Sequence, residues 1–147
     1  MEINGIAHVI LTVRDVRASA PFYRALLAHM GLTPIVDTDA YLYFVGGRTA
    51  VGLRPVETAA APPHDAFDQG RVGLHHVCFR ARTREDVEGV HALVSSLGAR
   101  IVHPPEEAGW VPGYYSVLFE DPDGIRLEVN YVPGKGVFDP GVTRAGE

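Results

Sequence analysis

The sequence predicts an α+β chain built from two similar strand–helix–three-strand units sharing one core. Two observations carry this prediction: the chain repeats its own motif at a nearly constant offset, and both copies pass from strand-like to helix-like patterning at the same point. Ala7-His8-Val9 opens an apolar run that ends at Asp15, and His75-His76-Val77 opens a similar run that ends at Thr83; both pairs, His8 to His76 and Asp15 to Thr83, are 68 positions apart. Gly31 and Gly98, which close the helix-like stretches, are 67 apart. Further on, Val51-Gly52-Leu53 takes the place that Leu127-Glu128-Val129 takes in the second copy, at an offset of 76. The extra residues fit a longer loop before the last two strands of copy two.

Each element has a local cause. Residues 6–13 (IAHVILTV) are rich in β-branched side chains and read as a strand. The first helix is expected over about 19–30, with Ser19 as N-cap, Pro21 in the first turn and Gly31 as the stop. A β-branched segment, Thr33–Val36, follows it. Tyr41–Val45 and Thr49–Arg54 form the next two strands around a Gly46-Gly47 turn. In copy two, Thr83 and Asp86 resemble a capping box. Val87, Val90, Val94 and Leu97 recur at three- and four-residue steps and define one buried helix face. Arg100–His103, Tyr114–Glu120 and Ile125–Tyr131 read as strands, the last two joined by an Asp121-Pro122-Asp123-Gly124 turn. Glu57–Gly70 has alanine, proline and charge without periodicity and reads as the linker. Module one thus covers about 5–56, module two about 71–132, and a glycine- and proline-bearing tail, 133–147, is expected to wrap the surface or a partner chain.

Composition narrows the function classes. Of 147 residues, 46% are apolar and 21% charged, as in a folded globular protein rather than a disordered one. The chain is long enough to bury a core without disulfide or metal staples. Thirteen basic against 18 acidic residues, with no basic block, argue against a nucleic-acid partner. No apolar run approaches the roughly 20 residues of a membrane span. The first residues, Met1-Glu2-Ile3-Asn4, lack the basic and apolar regions of a signal peptide, so a cytoplasmic protein is expected. The single Cys78 excludes an internal disulfide and a cysteine-rich zinc site.

In this order, several pieces resemble the vicinal oxygen chelate superfamily, which includes glyoxalase I, extradiol dioxygenases, fosfomycin resistance proteins, methylmalonyl-CoA epimerase and bleomycin resistance proteins. They are Gly5-Ile6-Ala7-His8-Val9, Phe22-Tyr23, His76-Val77, and residues 119–129 (FEDPDGIRLEV) with glutamate four residues after the Asp-Pro-Asp-Gly turn. The resemblance spans about residues 5–132. It implies a fold of two βαβββ modules whose mixed sheets curl around a shared cleft that bears a metal. It also implies His8, His76 and Glu128 as ligands of one divalent ion, with Gly52 at the fourth position, where glyoxalase I has glutamate. Two histidines and one carboxylate suit iron, manganese or a similar ion such as nickel or zinc.

Alternation along a strand then sorts the neighbours. His75 should point away from the face of His76, whereas Cys78 should share it, and Arg126 and Asn130 should share that of Glu128. Cys78 is expected to be a small buried hydrophobe. His29, His64, His91 and His103 are given surface or packing roles. Pro104 and Pro105 stiffen the entrance of a loop, 103–113, and Trp110 within it and Tyr114 and Tyr115 just after it offer flat apolar walls with polar tips; capping the sheet or a dimer contact is an equally good role for any one of them.

The resemblance constrains the reaction by what departs from it. Gly52 stands where glyoxalase I has its glutamate, Leu118 stands where extradiol enzymes have a tyrosine, and no histidine lies between Pro104 and Asp121. The expected function is a metal-dependent enzyme acting on a small oxygen-chelating substrate, with lyase or isomerase chemistry favoured over oxygenation. Proton transfer would fall to Glu128, a metal-bound water or Tyr115. The competing expectation is a metal-free protein that sequesters a drug or metabolite, as bleomycin resistance proteins do. Homodimerisation is expected in either case.

Overall fold

The computed structural model describes residue 3, residues 5–57 and residues 66–134. The chain forms two compact units, one up to Phe67 and one from Asp68. Unit one contains β1 (Val9–Val13), α1 (Val16–His29), β2 (Thr33–Asp37), β3 (Leu42–Gly46) and β4 (Thr49–Pro55). Unit two contains β5 (Val77–Arg80), α2 (Arg84–Ser96), β6 (Arg100–Glu107), β7 (Tyr115–Glu120) and β8 (Arg126–Tyr131). Each unit is therefore βαβββ, as the repeat predicts.

The two sheets have the same topology, β1-β4-β3-β2 and β5-β8-β7-β6. In each, the first strand runs parallel to the last and the other pairings are antiparallel. The registers are equivalent as well. Ile10 stands opposite Gly52 in one unit, and Cys78 stands opposite Glu128 in the other. These are the same 68- and 76-residue offsets that the sequence repeat displays.

In unit one, α1 packs on β3 and β4 and buries Val16, Ala20, Tyr23, Leu26 and Leu27. Buried Leu11, Val13, Leu42, Phe44, Val51 and Leu53 alternate along the strands and share one face of that sheet. In unit two, α2 packs on β6, β7 and β8, burying Val87, Val90 and Val94. Val117, Phe119, Leu127 and Val129 share the corresponding face of the second sheet and are at most 2% exposed.

Helix ends explain one difference from the sequence reading. α1 begins at Val16, not near Ser19, because Asp15 is the N-cap and its carboxylate accepts the Arg17 amide at 2.9 Å. Ser19 is buried inside the helix, and Pro21 lies past the first turn, where it forgoes one backbone hydrogen bond. At α2 the capping box is complete: Thr83 accepts the Asp86 amide while Asp86 accepts that of Thr83.

A second difference concerns β6. It runs through Pro104 and Pro105 to Glu107, with two register shifts against β7, so the prolines belong to an edge strand rather than a loop. An edge position tolerates them because one side of the backbone needs no ladder partner. Most of the expected linker (58–65), the tail beyond 134 and His64 lie outside the described residues. Among the described residues, no helix is long and apolar enough to cross a membrane.

Candidate functional site

The Asp-Pro-Asp-Gly turn sets the start of β8. Asp121 Oδ1 accepts the amides of Asp123 and Ile125, each at 2.8 Å, and Gly124 adopts φ +84°, a conformation that suits residues lacking a Cβ. β8 then enters between β5 and β7 as a central strand, which places Glu128 opposite Cys78 on one side and Leu118 on the other. Leu127 and Val129 turn toward α2, so alternation sends Glu128 to the opposite face. Glu128 is 8% exposed, and a buried carboxylate needs partners.

It has two. Tyr114 Oη donates to Glu128 Oε1 at 2.6 Å, and His76 Nε2 stands 3.0 Å from Glu128 Oε2. Both carboxylate oxygens are thus engaged, one by a phenol and one by an imidazole. Burial first, and the Glu128 hydrogen bond second, push the Tyr114 phenol well above its ordinary value. Tyr114 therefore remains a proton donor across the ordinary pH range. Asn130, on the same face of the sheet, opposes that shift.

Cys78 departs from the expected buried role, for it is exposed. Its thiol donates to the Phe79 carbonyl at 3.9 Å, and the residue stands opposite Glu128 across the β5–β8 pairing. Local desolvation first and the carboxylate charge second push the thiol up to about 12. His75 departs too. It precedes β5, where strand alternation does not operate, and its Nδ1 lies 2.7 Å from His76 Nδ1 with the rings edge to face.

Tyr115 faces the other way from Tyr114. Its hydroxyl donates to Glu88 on α2, and the Arg84 guanidinium lies 4.6 Å above its ring. The structure thus gives Glu128 the hydroxyl of Tyr114 rather than that of Tyr115. Arg126 shares the Glu128 face, as expected, and there pairs with Glu120, which also pairs with Arg100. His103 stands opposite Leu118 and donates from Nδ1 to the Pro104 carbonyl at 3.0 Å. Trp110 is exposed.

His8 belongs to unit one, immediately before β1, and is exposed. Gly52 is buried in that unit, and a Cβ placed there would meet Ile10 Cδ1 at 2.7 Å, Tyr43 Cδ2 at 3.1 Å and the Leu42 carbonyl at 3.2 Å. The position equivalent to Glu128 is therefore closed over by Ile10 and Tyr43. Tyr43 also stacks on Tyr41, with centroids 6.2 Å apart. Unit one carries hydrocarbon and aromatic surface where unit two carries an acid.

Unit two brings two of the expected donors, His76 and Glu128, together. Two donors on neighbouring positions of an octahedral ion, each at about 2.1 Å, stand about 3 Å apart, and His76 and Glu128 have that separation. Among the described residues, no three His, Cys, Asp or Glu side chains are grouped closely enough to hold an ion. Two residues here were missed by sequence reasoning. Tyr114 was legible only as an aromatic wall, because its reach to Glu128 depends on the β7–β8 register. His75 was placed by an alternation that begins only at Val77, two residues too late to govern it.

Residues 5–129 match the family model described as the Glyoxalase/Bleomycin resistance protein/Dioxygenase superfamily. The chain is 26% identical over 124 residues to YqjT of Bacillus subtilis, covering 83% of this chain and 94% of that protein. It is 29% identical over 137 residues to MhqA of the same organism, which is named provisionally as a ring-cleaving dioxygenase; that match covers 86% of this chain and 39% of MhqA. Among solved structures, a glyoxylase/bleomycin resistance protein/dioxygenase domain from Frankia sp. EAN1pec superposes with a TM-score of 0.72 at 27% identity, covering 88% of this chain and 98% of that one.

Proposed function

The chain belongs to the Glyoxalase/Bleomycin resistance protein/Dioxygenase superfamily, and from that premise we propose that it is a divalent-metal-dependent enzyme acting on a small organic substrate that chelates through oxygen. His8, His76 and Glu128 are the proposed ligands. The observation that carries this reading is the pair His76–Glu128, 3.0 Å apart, in which a buried carboxylate and an imidazole present donors at the spacing of neighbouring ligands. An ion held there would supply Lewis acidity toward a substrate carbonyl, enolate or hydroxyl oxygen.

The chain's own groups divide the remaining work. Tyr114 fixes one oxygen of Glu128 and so orients the carboxylate. Glu128 would accept a proton from carbon beside the polarised oxygen and return it to a neighbouring atom. Such a transfer consumes no oxygen and needs no redox partner. Leu118, directly opposite Glu128, presents hydrocarbon where an acid–base group would serve ring cleavage, which favours lyase or isomerase chemistry over oxygenation. Tyr115, engaged by Glu88, is assigned no part in this step.

The test pairs two detectors on metal-loaded protein incubated with a panel of hydroxycarbonyl compounds and catechols. Proton exchange into substrate by NMR without oxygen uptake, lost on chelation, is the expected result. Oxygen uptake with ring opening would assign the protein to oxygenation instead. A second reading, metal-free binding of a drug or metabolite, has one observation in its favour: His76, Glu128 and Tyr114 already satisfy one another. That reading requires ligand affinity to be unchanged by chelation. The enzyme is read as a cytoplasmic homodimer, which sedimentation of the purified chain tests for assembly.

A further inference from the structure

We infer that Arg126 binds a carboxylate of the substrate, which makes the substrate a small acid with an anionic group set apart from its chelating oxygens. This rests on the proposed role of the Glu128 face as the site. Arg126 and Glu128 are alternate residues of β8 and share the face turned away from α2. At about 3.3 Å per residue, they stand about 7 Å apart along the strand. A ligand with oxygens at His76 and Glu128 therefore reaches Arg126 with a group about three carbon–carbon bonds further along its chain.

Arg126 is not spent on its neighbour. The β6–β7–β8 register sets Arg100, Glu120 and Arg126 in one row across the sheet. Buried Glu120 accepts from Arg100 Nη1 at 2.8 Å and from Arg126 Nε at the longer distance of 3.3 Å. One arginine already balances its charge, so the row carries a surplus positive charge. Among the described residues, the Arg126 side chain meets Glu120 alone, which leaves the edge formed by Nη1 and Nη2 without a protein partner. The Arg100 side chain is 73% exposed, whereas that of Arg126 is 23% exposed. A guanidinium held that far out of water is costly unless its donors are met.

The unmet edge fits a carboxylate. Nη1 and Nη2 present two parallel N–H donors that match the two oxygens of such a group. The surplus charge of the row balances a singly charged carboxylate. A doubly charged phosphate would instead bring net negative charge beside buried Glu128. Arg80, on β5 of the same face, is directed elsewhere: its Nη2 donates to the Val132 and Gly134 carbonyls.

The experiment titrates the full chain calorimetrically with three probes that share a 2-oxo acid end. They are 2-oxoglutarate, 2-oxopentanoate, in which a methyl replaces the distal carboxylate, and 2-oxo-4-phosphonobutanoate. Native protein, Arg126→Lys and Arg126→Met are compared, each with Ni²⁺ and after chelation. Hydrogen bonds between charged partners correspond to about 10- to 100-fold in affinity, so the native chain should prefer 2-oxoglutarate over 2-oxopentanoate by that factor. Arg126→Met should abolish the preference and leave the affinity for 2-oxopentanoate unchanged. Arg126→Lys, which keeps the charge but not the fork, should retain part of it. An arginine that served Glu120 alone would weaken both 2-oxo acids alike. Equal native affinity for the two, a preference that survives Arg126→Met, binding of neither, or tighter binding of the phosphonate would each overturn the inference. Ni²⁺ uptake is measured on the same samples: its absence overturns the metal reading, whereas the ratio of the two affinities still decides the role of Arg126.

Discussion

Tyr114 and Glu128 are joined by a 2.6 Å hydrogen bond that spans β7 and β8 on the face opposite α2. A hydrogen bond to a charged partner contributes about 1.5–3 kcal/mol, and losing it leaves a buried oxygen unpaired. Tyr114→Phe should therefore lower unfolding stability by about that amount in the metal-free protein, measured by denaturant titration. Tyr115→Phe, whose hydroxyl meets exposed Glu88, should change stability by less than about 0.5 kcal/mol.

Gly52 is held by sterics. A Cβ would come within 2.7 Å of Ile10 Cδ1 and 3.2 Å of a backbone carbonyl, so Gly52→Ala should destabilise the chain by about 1–3 kcal/mol. Ile10→Ala removes the nearest of these atoms. The double variant should accordingly lose less than the sum of the two single losses, read as a coupling energy in a double-mutant cycle.

Cys78 should react slowly despite its exposure. Its thiol is raised from 9.0 to about 12, so at neutral pH the folded, metal-free chain holds about a thousandfold less thiolate than an unperturbed cysteine. Alkylation by iodoacetamide should be correspondingly slow and should rise with pH until the thiol ionises. Glu128→Gln removes a charge that raises the thiol, so alkylation at neutral pH should quicken; an unchanged rate would disconnect the two residues. Because the raised value favours the protonated folded state, the associated stability is present below about pH 9 and is lost as pH climbs toward 12.

Much of this architecture was legible because the chain states its pattern twice. The 68- and 76-residue offsets are the ones by which the Ile10–Gly52 pair of one sheet corresponds to the Cys78–Glu128 pair of the other. Capping chemistry located α2, where Thr83 and Asp86 have no rival. At α1 Pro21 drew the N-cap to Ser19, since proline is commonest in a first turn, whereas Asp15 is the residue that caps. The polar cluster around Glu128 was harder to read. Its Tyr114 contact depends on register and side-chain reach, and its His75 contact on a segment outside any strand. Neither leaves a periodic trace in sequence.

The central claim, that His76 and Glu128 hold a divalent ion, is tested most directly by elemental analysis of anaerobically purified protein beside His76→Ala prepared in the same way. The account predicts near-stoichiometric iron, manganese, nickel or zinc in the native chain and its loss in the variant. A native chain that takes up no ion even after reconstitution, or a variant that keeps the full complement, would contradict it.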